Sequence, residues 1–530
     1  MTEKQRIGGG LAFAAAVGAT VIFSLSALAA SGPTVEPNGL VNLDSAPTRT
    51  HDAPSLAISP KNSNLVVMGE VDLQHGRCLT HVSHDGGHTW SEGGSPQNSE
   101  FANCGPQNGN NFNTGTRTAL AFARDGTLYY AFAAARVGDG DSRSILLGKS
   151  TDNGMTYTTT VVYQATAAAD PNKADVNYLP AVAVDPDNAK RVYVAFARTY
   201  NFSQNKIDNG FVAASDDGGA SFGAPVDVGV AAREVSLAVS KGNVLAIFAE
   251  STPFPPPGPA KLYASVSNDH GKTFTPKVIT VAAARVSTPK ATIDPTNGTV
   301  VIAWYDNHLA KPSTVEDDVF AKASSDGGKS WGKTVRISPS HGGMGQNVNQ
   351  LYPAINAAPG GRIDVVWYDY RNDPFPIPSG ARASYLGSVA DLYAASSTDD
   401  GKTFTAAVRL SDHPIDRRIG TWNGQYFFVI PPAVVSTNQG FIAAWSDTRN
   451  GNPDTQAQDI YSAKVDVPTA PLGAGAQNGP DLRALLLGLE LLVVGAGIAL
   501  LVAALVLRRR LPPPTPTPVE QATPASTQSR

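Results

Sequence analysis

Six copies of one eight-residue pattern, Ser-x-Asp-x-Gly-x-(Thr/Ser)-aromatic, punctuate this chain: SHDGGHTW from Ser83, STDNGMTY from Ser150, SDDGGASF from Ser215, SNDHGKTF from Ser267, SSDGGKSW from Ser324 and STDDGKTF from Ser397. The aspartates Asp85, Asp152, Asp217, Asp269, Asp326 and Asp399 recur about every 50 to 75 residues, the period of one four-stranded unit per repeat. The residue types suit a hairpin turn, in which the carboxylate accepts backbone N–H bonds and the Gly takes a positive φ. The closing aromatics, Trp90, Tyr157, Phe222, Phe274, Trp331 and Phe404, then re-enter the sheet, placed to pack between neighbouring hairpins. Equivalent aspartates in equivalent turns are a building device, so these carboxylates are read as structural and not catalytic.

The pattern resembles the Asp-box, or BNR repeat, of the sialidase-like β-propellers, and the resemblance covers roughly residues 38–467. It implies an all-β propeller but no reaction, because such propellers also bind or scaffold without catalysis. Between the boxes lie paired runs of strand composition, such as Pro180-AVAV-Asp185 with Arg191-VYVAFA-Arg198. Runs of this kind start near Pro54, Thr118, Pro180, Val235, Pro289, Pro353 and Pro432, which gives a seven-bladed β-propeller, with six blades as the alternative. The last unit ends at Asp459-IYSAKV-Asp466 with no box or fourth strand after it. The N-terminal piece Gly39-LVNLDS-Ala46 is similar to the outer-strand ends TVRIS and AVRLS, and is read as the missing strand that closes the ring and removes an exposed edge.

The flanks suggest export and anchoring. Residues 1–30 read as a signal peptide: Lys4 and Arg6 precede an apolar run from Leu11 to Leu28 that ends in Ala27-Leu28-Ala29. An uncleaved anchor is the alternative. Residues 468–483 form a flexible linker, and 484–507 a single transmembrane helix that ends in Arg508-Arg509-Arg510, the basic flank of the cytoplasmic side. The tail, 508–530, is Pro/Thr-rich and is read as disordered in the cytoplasm. Cys78 and Cys104, the only cysteines, both fall in the exported part and are expected to pair. A formal net charge of −4, without basic clusters outside Arg508–Arg510, argues against a nucleic-acid partner.

Candidate chemistry concentrates in the last three units: Trp304-x-Asp306 followed by Asp318, Trp367-x-Asp369-x-Arg371 followed by Asp391, and Trp445-x-Asp447-x-Arg449 followed by Asp459. These acids fall at the ends of second strands and the starts of third strands, so carboxylates and arginines are expected to meet on the face opposite the boxes. Three readings stay open: Arg371 and Arg449 bridge the carboxylates within their own blades, the acids collect Ca²⁺, or they contact a ligand directly. His51, His81, His84 and His88 cluster in the first unit, with surface solvation the plain reading and copper or zinc the sharper one.

The resemblance further implies, for an active sialidase, three arginines that hold the substrate carboxylate, a Tyr nucleophile supported by a Glu, and an Asp acid/base. The first arginine belongs to an Arg-Ile-Pro sequence, where this chain reads Asp52-Ala53-Pro54. An acid cannot replace a guanidinium fork against a carboxylate. Tyr352 falls roughly where the nucleophile is placed, Glu234 is a conceivable partner, and Arg117, Arg233, Arg285, Arg371 and Arg449 are candidates for the remaining arginines. The loops Ser251–Pro259 and Phe375–Ser384 are proline-stiffened inserts of the kind that carry recognition. The sequence is therefore read as a membrane-anchored extracytoplasmic propeller that binds a glycan or an envelope or cell-surface protein without catalysis and without a cofactor. The alternative is a sialidase-like exo-glycosidase with an altered site, in which Tyr352 and Glu234 do the chemistry.

Overall fold

Apolar runs rich in Val, Ile, Ala and aromatics form antiparallel strands, and the second strand of each unit is covered on both faces, as Val300–Asp306 and Ile363–Asp369 are along their whole length. In this computed structural model residues 32–101, 103–104, 117–139, 142–167, 174–200, 209–240, 242–251, 259–281, 286–307, 317–339, 349–375, 387–420 and 431–468 are described. Contacts divide the chain into units 1–475 and 476–530, and the second lies outside the described residues, as do the proposed signal peptide and membrane span. Among the described residues no helix is long and apolar enough to cross a membrane.

The fold is an all-β propeller. Two short N-terminal strands, β1 (Thr34–Val35) and β2 (Gly39–Leu40), precede a first meander of β3 (His51–Ser59), β4 (Asn62–Asp72), β5 (Arg77–Ser83) and β6 (Ser91–Glu92). The second comprises β7 (Ala119–Phe122), β8 (Leu128–Ala134), β9 (Ser144–Ser150) and β10 (Thr158–Tyr163). A seven-stranded sheet follows: β11 (Asp175–Val184), β12 (Val192–Tyr200), β13 (Asn209–Ser215), β14 (Val226–Ser240), β15 (Asn243–Glu250), β16 (Lys261–Ser267) and β17 (Thr275–Val281). Its long central strand serves two meanders, since Val226, Asp227 and Ala231 pair with β13 whereas Ala232 to Ser240 pair with β15. Next come β18 (Val286–Ile293), β19 (Val300–Asp306), β20 (Asp318–Ser324) and β21 (Val335–Arg336). The following sheet is β22 (Gln350–Ala357), β23 (Ile363–Asp369), β24 (Val389–Ser397) and β25 (Val408–Arg409), with β26 (Ile415–Asp416) beside β24. The last holds β27 (Ala433–Ser436), β28 (Gly440–Asp447) and β29 (Asp459–Asp466). The innermost strands β3, β7, β11, β14, β18, β22 and β27 touch in that order, and β27 touches β3 in turn, so the circuit closes.

Each box is the turn between a third and a fourth strand, and its hydrogen bonds repeat. In the fifth copy Ser324 Oγ donates to Asp326 Oδ1 (2.8 Å) and accepts from the Gly328 N–H (2.8 Å), while Ser330 donates its N–H to Oδ1 (2.9 Å) and its hydroxyl to Oδ2 (2.5 Å). Such donors hold the carboxyl ionised: the Thr156 hydroxyl and N–H bring Asp152 down to about 2. Both residues after the aspartate have a positive φ, such as +73° and +87° at Gly327 and Gly328. The first of these two positions is therefore restricted to Gly, Asn, His and Asp across the six boxes.

The box also sets the approach of one meander to the one before it. A Cβ on Gly328 would lie 2.7 Å from Leu245 of β15, and one on Gly87 would lie 3.2 Å from Ile442 of β28. The box aromatics fill the same seams, as the sequence predicts. Trp90 packs with Val435, Ile442 and Ile460 of the last sheet and donates Nε1–H to Ser462 Oγ at 3.1 Å. Tyr157 reaches back to Thr80 Oγ1 (2.9 Å), and Trp331 packs with Leu245 and Ile247.

Closure follows the expected route. β1 and β2 both pair antiparallel with β29, with Val35 opposite Val465 and Leu40 opposite Tyr461, and the Val41 N–H continues the ladder to the Ile460 carbonyl (2.9 Å). The likeness of VNL to the VRI and VRL outer ends has a chemical basis. Arg336 and Arg409 donate to the first acids of their third strands, Asp318 (2.5 Å) and Asp391 (2.6 Å), and Asn42 donates to Asp459 (2.8 Å). The guanidinium that Asn42 lacks comes from Arg49, whose Nε and Nη2 lie 2.5 and 2.7 Å from the two Asp459 oxygens.

Two outcomes test these seams. Gly328→Val places a branched side chain at a positive φ against Leu245, and is expected to destabilise by about 2 kcal/mol or more, seen as a lower melting temperature by calorimetry. Arg49→Met leaves the Asp459 carboxylate, whose side chain is 0% exposed, with the amide donors of Asn42 and Asn450 but without its cation, and is expected to cost about 3 kcal/mol. Hydrogen exchange should then show β29 losing protection before the middle strands do.

Candidate functional site

The predicted meeting of acids on the face opposite the boxes is present. Asp306 is directly opposite Asp318, Asp369 opposite Asp391, and Asp447 opposite Asp459. Like charges across a strand pair repel, so each acid has its own donors. The Trp-x-Asp spacing supplies the first: Trp304, Trp367 and Trp445 donate their indole N–H groups to Asp306 (2.6 Å), Asp369 (3.1 Å) and Asp447 (2.8 Å). Two residues on a strand share a face, which lets a fully buried indole find its acceptor.

The arginines settle one expectation by correcting it. Arg371 and Arg449 do not bridge the two carboxylates of their blades: each binds the nearer acid, Arg371 to Asp369 and Arg449 to Asp447 (2.7 Å). Their guanidinium planes lie over Tyr393 and Tyr461, at 4.0 and 3.9 Å from the ring centroids. The second acids are held by other residues, Asp391 by Arg409 and Asn372, and Asp459 by Arg49, Asn42 and Asn450. Guanidinium, amide and indole donors thus stand where the calcium reading requires free carboxylate oxygens. Among the described residues no group of three or more His, Cys, Asp or Glu is arranged to hold a metal ion.

The histidine cluster also departs from its plain reading. His51 and His81 are buried, and both reach Glu70: His51 Nδ1 lies 2.9 Å from Oε2 and His81 Nε2 2.7 Å from Oε1, while His51 Nε2 meets Asp44 at 3.0 Å. Burial works against the His51 charge, but Glu70 and Asp44 raise its pKa to about 9. Burial likewise opposes the Glu70 charge, yet the two histidines bring it down to about 2. Only His84 and His88 lie in the box turn. Cys78 and Cys104 form the expected disulfide, across a separation of 26 residues, which the chain-entropy account values at roughly 3 to 4 kcal/mol.

At the start of the inner strands the ladder slips, between Asp52 and Ser55, Tyr178 and Ala181, Ala232 and Val235, Ser287 and Lys290, and Leu351 and Ala354. These bulges explain the recurrent prolines Pro54, Pro180, Pro289 and Pro353, because a bulge is where a residue without an N–H fits a sheet. The residue before the proline takes a positive φ at Ala53 (+59°), Leu179 (+52°) and Tyr352 (+54°). For Tyr352 this is a strained conformation. It is buried, its ring edge-on to Tyr305 at 5.3 Å between centroids.

Glu234 sits at the corresponding bulge of β14 and engages cations. Arg117 Nη1 and Lys290 Nζ both donate to its Oε1, the latter at 2.5 Å. Burial opposes its ionisation, but the two cations hold its pKa below the usual value, and burial lowers that of Lys290 in turn. Of the pair expected for catalysis, Glu234 is bound to Arg117 and Lys290, and the Tyr352 ring packs on Tyr305. Arg285 lies outside the described residues, as does the side chain of Arg233 and most of the loops Ser251–Pro259 and Phe375–Ser384.

Asp52, where the resemblance requires the first arginine, is 2% exposed. Its Oδ1 accepts from Ser446 Oγ (2.5 Å) and from the Ala53 N–H (2.8 Å), and burial pushes its pKa up to about 6. The folded state therefore favours the protonated acid, and the stability this contributes is present below pH 4 and lost as the pH rises through 6. An Asp52→Asn variant keeps the same acceptor without the charge. It should gain on the parent as the pH rises from 4 to 7, by up to about 3 kcal/mol, in urea titrations across that range.

No family model and no curated relative matches the chain. Solved structures do, at low identity. A protein of unknown function from Dyadobacter fermentans is 14% identical over 83% of this chain and all of its own, with a TM-score of 0.42. An α-L-arabinofuranosidase of Fusarium graminearum is 14% identical over 67% of this chain and 93% of its own, with a TM-score of 0.42. A Hadza microbial sialidase is 13% identical over 78% of this chain and 75% of its own, with a TM-score of 0.41. The likeness to these propellers is distant and concerns the fold.

Proposed function

We propose that this chain is an exported, membrane-tethered propeller of seven blades that binds a glycan or an envelope protein without turning it over. The seven-stranded sheet counts as two blades because β14 pairs in succession with two neighbours. Export and tethering rest on the signal-like residues 1–30 and the apolar stretch 484–507, in keeping with a disulfide that persists in oxidising compartments. The non-catalytic reading rests on one observation above the others. The position that a sialidase-like site reserves for a carboxylate-binding guanidinium holds Asp52, buried and bonded to Ser446, and a carboxylate facing a carboxylate repels it. Glu234, bound to Arg117 and Lys290, agrees with this.

The test is turnover. The full chain in detergent, given fluorogenic sialosides, arabinofuranosides and a panel of other glycosides, is expected to release no more product than its Tyr352→Phe variant. Hydrolysis by the parent that this substitution abolishes would overturn the reading. A glycan array probed with the same preparation separates a carbohydrate ligand from a protein one.

A further inference from the structure

We propose that a cleft beside β24, on the face opposite the boxes, binds a neutral sugar unit through the open side of Arg409. This rests on the reading of the propeller as a binding module and names the ligand chemistry of one of its surfaces. The outer strand of this sheet is in two pieces: β25 pairs with Tyr393 and Ala394, and β26 with Val389 and Ala390. Both pieces line a cleft of about 410 Å³, the first through Arg409 and the second through Asp416 with Pro414 just before it, and the loop after β23 adds Asn372 and Pro374. That volume is within the range of small-molecule sites.

Asp391, which also lines the cleft, is spent. Buried, it accepts from Arg409 Nη2 (2.6 Å), Ser411 Oγ (3.3 Å) and Asn372 Nδ2 (2.8 Å). What stays open is on its donors. Among the described residues no hydrogen bond engages Nε or Nη1 of Arg409, whose side chain is 39% exposed, or Oδ1 of Asn372. Asp416 Oδ2, which accepts from Arg418 Nη2 (2.6 Å), keeps a second lone pair. The cleft thus offers donors and acceptors side by side, and a hydroxyl is the neutral group that both gives and takes. Charge argues the same way. An anion drawn to Arg409 meets the carboxylates of Asp391 and Asp416 in the same walls, and a cation meets the guanidinium. Pro374, Pro414 and Val389 supply the apolar part, against which the C–H face of a sugar ring packs. Phe375, next after Pro374, is a further ring left at the surface, stacked by the Arg418 that binds Asp416. An extended peptide would need a free sheet edge, and the edge of β24 here is already paired with β25 and β26.

Saturation-transfer NMR on the full chain in detergent tests this, with methyl glycosides of glucose, galactose, mannose, N-acetylglucosamine and arabinofuranose as neutral probes and glucuronate and N-acetylneuraminate as acidic ones. At least one neutral glycoside should bind. Arg409→Lys keeps a charge beside Asp391 but loses the guanidinium fork, and should weaken that binding by about tenfold or more, the equivalent of one charge-assisted hydrogen bond. Arg336→Lys makes the same change beside Asp318 in the preceding sheet, outside the cleft, and should leave binding intact. Pro414→Ala, at an exposed position, should weaken binding while the melting temperature holds. Binding by the acidic sugars alone, binding indifferent to Arg409→Lys, an equal loss in Arg336→Lys, or no binding by any glycoside would overturn the inference. The outcomes separate from those of the turnover test. A protein ligand without a glycan leaves the binding module standing and removes the sugar site, whereas hydrolysis removes the non-catalytic reading and leaves the Arg409 dependence, measured in the Tyr352→Phe variant, to be judged by itself.

Discussion

A serine hydroxyl that is donor and acceptor at once underlies the rest of this architecture. In each box it donates to the aspartate two residues on and accepts from the glycine four residues on, so one side chain locks a turn whose next two φ angles are both positive. The locked turn aims the following aromatic at the preceding meander, and the glycine lets the two backbones come close enough for that ring to be covered. Sheets stacked in this way each have one neighbour ahead and one behind. The arrangement is stable only as a circuit, because a terminal sheet would expose both an apolar face and an unpaired edge.

The last meander shows how strong that constraint is. It has no box, and its fourth strand comes from the other end of the chain, so its outer edge is closed by pairing between the chain ends, and the first box packs on it through Gly87 and Trp90. Further contacts hold that closure: Arg49 and Asn42 on Asp459, Gln458 exchanging bonds with His51, and Trp90 reaching Ser462. The same seam holds the buried His51–Glu70–His81 network and the protonation-sensitive Asp52. Titratable groups thus gather where the ring is sewn shut.

What was legible in the sequence was whatever repeats. The boxes, the inner strand pairs and the likeness of VNL to the VRI and VRL ends all follow from local chemistry reused at intervals, and the structure places them as read. The partners of the acids were less legible, because a cation's choice between two nearby carboxylates depends on register. Arg371 and Arg409 flank Asp391 at almost equal sequence distance, yet only the outer-strand residue reaches it. His51 and His81 gave no periodic signal of burial, since the residue that buries them, Glu70, lies on the strand between them and has no counterpart in other units. One usable signal went unread: the prolines at 54, 180, 289 and 353 mark the bulges at the starts of their inner strands.

These bulges set the starts of the inner strands apart from the outer part of the face. On the outer part of the face, the paired acids of the last three meanders each have donors of their own, and Arg371 and Arg449 are stacked on tyrosines. Such groups have little left to offer a ligand without first giving up a partner. At the inner strand starts, where the register slips, Arg117, Glu234 and Lys290 meet from three different inner segments. A contact built from three meanders is sensitive to how the ring closes in a way that a contact within one sheet is not. The repeat therefore does two separate jobs: it supplies a scaffold from identical parts, and at the one place where all the parts meet it allows them to differ.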